Sequence, residues 1–129
     1  MSDAEVTRPM KILLVENHED TLRWLTFYLE ELGHTVVAAR TLVEARAALA
    51  SGQCDVLLCD IGLPDGTGWE LLESAPRSRR LFAIAMSGFG MNADNGRSRA
   101  AGYRHHLVKP FKLAELDKLL AEAAQQGAP

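Results

Sequence analysis

Five short apolar runs alternate with helix-like patterns along the 129 residues, and this alternation restricts the fold more than any other feature. Lys11 to Val15 is apolar with no period-two alternation, the mark of a strand buried on both faces. Leu22, Leu25, Leu29 and Leu32 then recur at three- and four-residue steps, which predicts a helix stopped by Gly33. His34 to Ala39 reads as a second strand. Thr41 and Glu44 predict a capped helix with Leu42, Ala45 and Leu49 facing inward, closed by Gly52. Asp55 to Asp60 is a third buried strand and Gly62 to Gly66 a loop. Thr67 with Glu70 forms a second capping box, for a short helix that stops at Pro76. Leu81 to Met86 is the fourth strand, Asn92 to Ala101 a helix interrupted by Gly96, and Tyr103 to Val108 the fifth strand. The last helix begins after Pro110 and is expected to bury Leu113, Leu116 and Leu120.

Strand and helix in strict alternation predict an α/β fold, because parallel strands need helical crossovers of one hand. A closed eight-unit barrel needs roughly twice this chain, which leaves an open, doubly wound five-stranded parallel sheet with helices on both faces. One domain over residues 10–125 is expected, with short tails at 1–9 and 126–129. At 47% hydrophobic and 24% charged the composition is globular, so no segment needs to be read as disordered or coiled coil. A net charge of -3 gives no reason to expect nucleic acid as a partner. The local clusters Arg77, Arg79, Arg80 and Arg97, Arg99, Arg104 read as solvated faces, with a partner-docking surface as the alternative. Cys54 and Cys59 flank one strand and point to opposite sides of it, too far apart to bridge. That usage fits a reducing, cytoplasmic setting. No stretch has membrane-spanning length and no signal-peptide layout opens the chain.

The polar residues that end the strands are more informative. Strand one runs into Glu16 and Asn17, strand three into Asp60, strand four into Ser87 and strand five into Lys109. In open parallel sheets ligands bind at this carboxyl edge. Each residue alone is an ordinary loop residue; together, two acids, a hydroxyl and an ammonium suit a divalent cation and a phosphoryl group. No phosphate-cradling glycine loop follows strand one, since residues 16–20 contain no glycine, so a nucleotide-binding enzyme is not expected.

Four segments now carry a resemblance: ILLVEN at 12–17, LLCDIGLPDG at 57–66, AMSG at 85–88 and LVKPF at 107–111. In order and spacing they resemble the receiver domains of two-component response regulators, over about residues 11–124. The resemblance implies a flavodoxin-like strand order 2-1-3-4-5 and a phosphorylation-controlled signalling domain rather than an enzyme. Asp60 would be the phosphoacceptor, taking phosphate from a sensor histidine kinase or a histidine phosphotransfer protein. Mg²⁺ would be held by Glu16, Asn17, Asp60 and the backbone carbonyl of Gly62. Lys109 would contact a phosphoryl oxygen, with Lys109–Pro110 as the family's cis peptide. Ser87 would donate to another phosphoryl oxygen, and His106 would be the switch residue that moves with it. Output would pass through a target protein or a second copy at the face of the fourth helix, fifth strand and fifth helix. No output domain is expected in this sequence after the fifth helix, and the run from Gly88 to Lys109 looks like receivers attached to hybrid sensor kinases, so a piece of a larger protein is equally expected.

The sequence departs from the family at Asn17, where a second acid is usual. Glu16, Asp60 and Lys109 sum to -1, where a full acidic pair gives -2. Weaker Mg²⁺ binding and slower phosphorylation are expected, and a rival reading follows: a pseudo-receiver that serves as an interaction module. A flavodoxin-like cofactor binder has no ring-stacking loop to support it. Of His105 and His106, one is expected exposed and one half-buried, with no zinc role since no further ligand completes a site. The resemblance places Gly62 and Phe89 beside the path of an attacking water, and neither offers it a side-chain hydrogen bond, so slow loss of the phosphate is expected.

Overall fold

The computed structural model describes residues 8–52, 54–75, 81–88 and 95–126. Strands β1 (Lys11–Val15), β2 (Thr35–Ala39), β3 (Val56–Asp60), β4 (Phe82–Ser87) and β5 (His105–Val108) form one parallel sheet in the order β2-β1-β3-β4-β5. The helices between and after them are α1 (Glu19–Glu31), α2 (Leu42–Ala50), α3 (Gly68–Glu73), α4 (Asn95–Ala101) and α5 (Leu113–Gln126). No helix among the described residues is long and apolar enough to cross a membrane.

The central strands lack alternation because successive residues enter two different cores. Ile12, Leu14, Val56, Leu58, Ile84 and Met86 pack with Leu22, Leu25 and Leu29 of α1 and Leu116 and Leu120 of α5. Their neighbours Leu13, Val15, Leu57, Cys59, Ala83 and Ala85 pack with Leu42 and Ala45 of α2, Leu71 of α3 and Ala101 of α4. The sheet is therefore covered on both sides and its carboxyl edge is left for polar groups.

Several local expectations need correction. Leu32 is 43% exposed: α1 ends at Glu31 and Leu32 is already the cap before Gly33, whose φ of 100° turns the chain. Leu113 is 36% exposed because it opens α5, whose buried stripe starts a turn later at Leu116. Thr41 accepts from Glu44 N, but the Glu44 carboxylate reaches back to Arg40 N rather than Thr41 N. At Thr67 and Glu70 both halves of the capping box are present. The expected loop contains a two-residue antiparallel pair, Gly62–Leu63 with Gly66–Thr67. Its Asp65 accepts from Leu42 N and Val43 N, adding a second cap to α2, and those bonds hold its carboxyl below the usual range. Tyr103 is buried ahead of β5 and donates to Gly68 O. Pro76, Arg77, Arg79, Arg80 and Phe89 lie outside the described residues.

His34, just before β2, is buried. Its Nδ1 accepts from Met10 N at 3.1 Å, so the ring hydrogen sits on Nε2, which is buried with no partner among the described residues. Burial lowers its pKa from the ordinary 6.5. The unfolded chain then binds the proton more readily than the folded one. This contribution to stability is full above the unfolded value and is lost as pH falls through the folded value. Between about pH 7 and about pH 5, urea unfolding is expected to show stability falling by less than about 1.4 kcal/mol per pH unit, the limit for one proton. His34→Gln, whose amide oxygen can still accept from Met10, is expected to flatten that slope.

Candidate functional site

Lys109, the residue after β5, joins two acids from neighbouring strands. Its Nζ donates to Glu16 Oε1 at 2.6 Å and to Asp60 Oδ2 at 2.7 Å. Backbone geometry occupies the other two carboxylate oxygens: Glu16 Oε2 accepts from His18 N and Asp60 Oδ1 from Gly62 N, each at 2.9 Å. The Lys109–Pro110 peptide is cis. Burial pushes the Glu16 carboxyl above its usual value, and Lys109 offsets only part of this. Burial works against the Lys109 ammonium as well, but the bonds to Asp60 and Glu16 outweigh it and hold its pKa up. The two acids differ in access. The Glu16 side chain is 1% exposed, while that of Asp60 is 12% exposed.

Ser87, the last residue of β4, is fully buried and its hydroxyl meets His106 rather than the acids, with Oγ 2.8 Å from Nε2. His106 is half-buried, and so is His105, which pairs with Glu122 at 3.0 Å, so neither is the exposed member expected of the pair. Asn17 is exposed. The structure thus draws Glu16, Asp60 and Lys109 into one cluster, places Ser87 with His106 beside it, and leaves Asn17 at the surface.

The donor set suits a hard divalent cation in kind, since Glu16, Asp60, Asn17 and the Gly62 backbone offer only oxygens. It is lean in charge. Among the described residues no three His, Cys, Asp or Glu side chains are grouped to hold a metal. Two residues escaped the sequence reading. Ser98 on α4 lies 1% exposed with Oγ 2.8 Å from His106 Nδ1, and Trp69 Nε1 on α3 donates to Ser98 Oγ at 2.9 Å. The available signal was spacing: Ser98 stands three residues before the buried Ala101, on the same helical face.

The family model described as response regulator receiver domain matches residues 12–121. The chain belongs to that family. This receiver domain is 30% identical over 115 residues to the KDP operon transcriptional regulatory protein KdpE of Escherichia coli, a match covering 89% of this chain and 51% of that protein. It is 34% identical over 128 residues to the virulence sensor protein BvgS of Bordetella bronchiseptica, covering 92% of this chain and 10% of the relative. The receiver thus spans about half of one relative and a tenth of the other. A response regulator receiver domain protein from Methanospirillum hungatei superposes with a TM-score of 0.79 at 29% identity, covering 92% of this chain and 99% of that one. Receiver domains are signalling domains whose general role is to accept a phosphoryl group.

Proposed function

We propose that Asp60 accepts the phosphoryl group in this receiver domain, in a Mg²⁺-dependent transfer from a histidine kinase or phosphotransfer protein. The observation that carries this reading is the difference in access. Of the two carboxylates on Lys109, Asp60 is the one with surface for an incoming phosphorus, whereas Glu16 is sealed in. In the transfer an Asp60 oxygen forms the new bond to phosphorus in line with the breaking N–P bond, and the departing imidazole keeps that electron pair. Positioning and charge neutralisation do most of the work in such a step. Lys109 supplies a compact positive charge for a phosphoryl oxygen, and Ser87 a hydroxyl for another. Glu16, Asp60, the Asn17 side-chain oxygen and the Gly62 carbonyl would hold Mg²⁺, which when bound adds positive charge against the phosphoryl oxygens. His106 moves with Ser87 as the switch. Output passes through protein contacts at the α4–β5–α5 face, in a reducing cytoplasm where Cys54 and Cys59 remain free thiols.

One observation favours the rival reading of an interaction module: every carboxylate oxygen of the cluster already has a hydrogen bond from within the protein. The two readings separate on Mg²⁺. Phosphorylation by acetyl phosphate is expected to rise with Mg²⁺ and to saturate at high concentration, and Asn17→Asp is expected to tighten apparent Mg²⁺ affinity about tenfold by restoring one charge. A wild type that takes no phosphate at any Mg²⁺ concentration, beside an Asn17→Asp variant that does, would assign the natural chain to the interaction module.

A further inference from the structure

Four side chains form one hydrogen-bonded line from the outer face of the domain to the site. Trp69 Nε1 donates to Ser98 Oγ at 2.9 Å, Ser98 Oγ lies 2.8 Å from His106 Nδ1, and His106 Nε2 lies 2.8 Å from Ser87 Oγ. They come from α3, α4, β5 and β4, so no single element creates the line.

Donor counting leaves two arrangements of the hydrogens. An indole nitrogen can only donate. Ser98 is 1% exposed, and among the described residues its hydroxyl has no partner beyond Trp69 and His106. With Trp69 donating to it, the hydrogen of Ser98 has one acceptor, His106 Nδ1. A hydrogen on Nδ1 would instead leave the Ser98 hydroxyl hydrogen buried with no acceptor among the described residues, and a hydrogen on Nε2 leaves that of Ser87 so, at the edge where a phosphoryl group on Asp60 would accept it. In the second arrangement Nδ1 accepts, the ring hydrogen is on Nε2, and Nε2–H donates to Ser87 Oγ. Ser87 is fully buried, and among the described residues this is the one hydrogen bond of its hydroxyl. Its own hydrogen is left available.

We propose that Trp69, Ser98 and His106 are positioning residues that orient the Ser87 hydroxyl as a donor toward the phosphoryl group on Asp60. This rests on the phosphoacceptor reading above. Every donor in the line faces the site: indole N–H to Ser98, Ser98 O–H to His106, His106 N–H to Ser87, and Ser87 O–H to a phosphoryl oxygen. The opposite polarity would spend the Ser87 hydrogen on Nε2 and leave the phosphoryl group without it. Arg97 and Glu73 hold the outer end in place, with the guanidinium 4.7 Å over the Trp69 ring and 3.0 Å from the Glu73 carboxylate.

The first test is the His106 tautomer in the resting wild-type chain, read from ring-nitrogen shifts in long-range proton–nitrogen NMR spectra above neutral pH. The Nε2–H form is expected, and the Nδ1–H form overturns the relay whether or not Asp60 takes phosphate. The second compares initial rates of phosphorylation by acetyl phosphate with Mg²⁺, after amide spectra confirm folding. Ser98→Ala is expected to lose the tautomer preference and react about tenfold slower, less than the 10²–10³-fold cost of removing a direct donor. Ser98→Thr, which keeps the hydroxyl, is expected to restore both. Equal rates for the wild type and Ser98→Ala would overturn the proposal. A wild type with the Nε2–H form that takes no phosphate would fell the phosphoacceptor reading, and the role of the relay with it.

Discussion

Lys109→Met is expected to slow phosphorylation by acetyl phosphate at least about a hundredfold and to lower stability by about 2–3 kcal/mol. The rate effect follows from losing the ammonium that touches Asp60, at 2.7 Å, where the phosphoryl oxygens gather charge. The stability effect has a different source. Lys109 is also 2.6 Å from Glu16, a carboxylate that is 1% exposed. Removing one partner of a fully buried pair costs about 3–5 kcal/mol, and the lower figure here reflects an ammonium whose side chain is 22% exposed. Protonation of Glu16 limits the loss, because burial already raises its pKa above 4.5 and losing Lys109 raises it further. A folded-state carboxyl pKa above the unfolded value means that stability falls as pH rises through that window. The variant should therefore lie closest to the wild type in acid and fall away as pH rises through the Glu16 value. Urea unfolding at several pH values checks this, and adding Glu16→Gln to Lys109→Met should recover most of the lost stability. A pH-independent loss would show that Glu16 is not the group left stranded.

Gly68→Ala is expected to lower stability by about 2–3 kcal/mol, in the upper part of the range for forced contacts in packed interiors. Gly68 opens α3 directly over the end of β3. A Cβ there would lie 2.7 Å from Asp60 O, 3.0 Å from Cys59 Sγ and 3.2 Å from Ile61 Cα. Backbone atoms of a central strand cannot swing aside, so α3 must lift. Its anchors oppose that: Gly68 N donates to Ile61 O at 2.9 Å, and Tyr103 OH donates to Gly68 O at 2.7 Å. The shift falls on Asp60, so phosphorylation should slow together with the loss of stability. Gly88→Ala is the control, since a Cβ there meets nothing within 4 Å among the described residues. Thermal unfolding of the two variants and their acetyl phosphate rates would separate this account from a general glycine effect; equal behaviour would contradict it.

The parts of the fold legible in the sequence were those where one physical constraint governs several neighbouring residues. Strands buried on both faces show as unbroken apolar runs, as in residues 11–15 and 55–60, and the acids and lysine that end them stand out by contrast. Helix ends were less legible. The spacing of Leu22, Leu25 and Leu29 continues through Leu32, although the backbone has already left the helix, and it begins at Leu113 before α5 has a covered face. The cluster around Lys109 could be foreseen as a convergence of side chains, but not its completion by His18 N and Gly62 N, because backbone donors carry no residue signature. Ser98 and Trp69 were missed for a related reason. Their partners lie 8 and 29 positions apart on different elements, and a lone serine on a short helix is ordinarily a surface residue.

The measurement that tests the phosphoacceptor claim most directly is the intact mass of the wild type and Asp60→Ala after incubation with acetyl phosphate, with and without Mg²⁺. One phosphoryl group gained by the wild type alone, and only with Mg²⁺, is the result this account predicts. A gain in Asp60→Ala, or none in the wild type across a wide range of Mg²⁺, would contradict it.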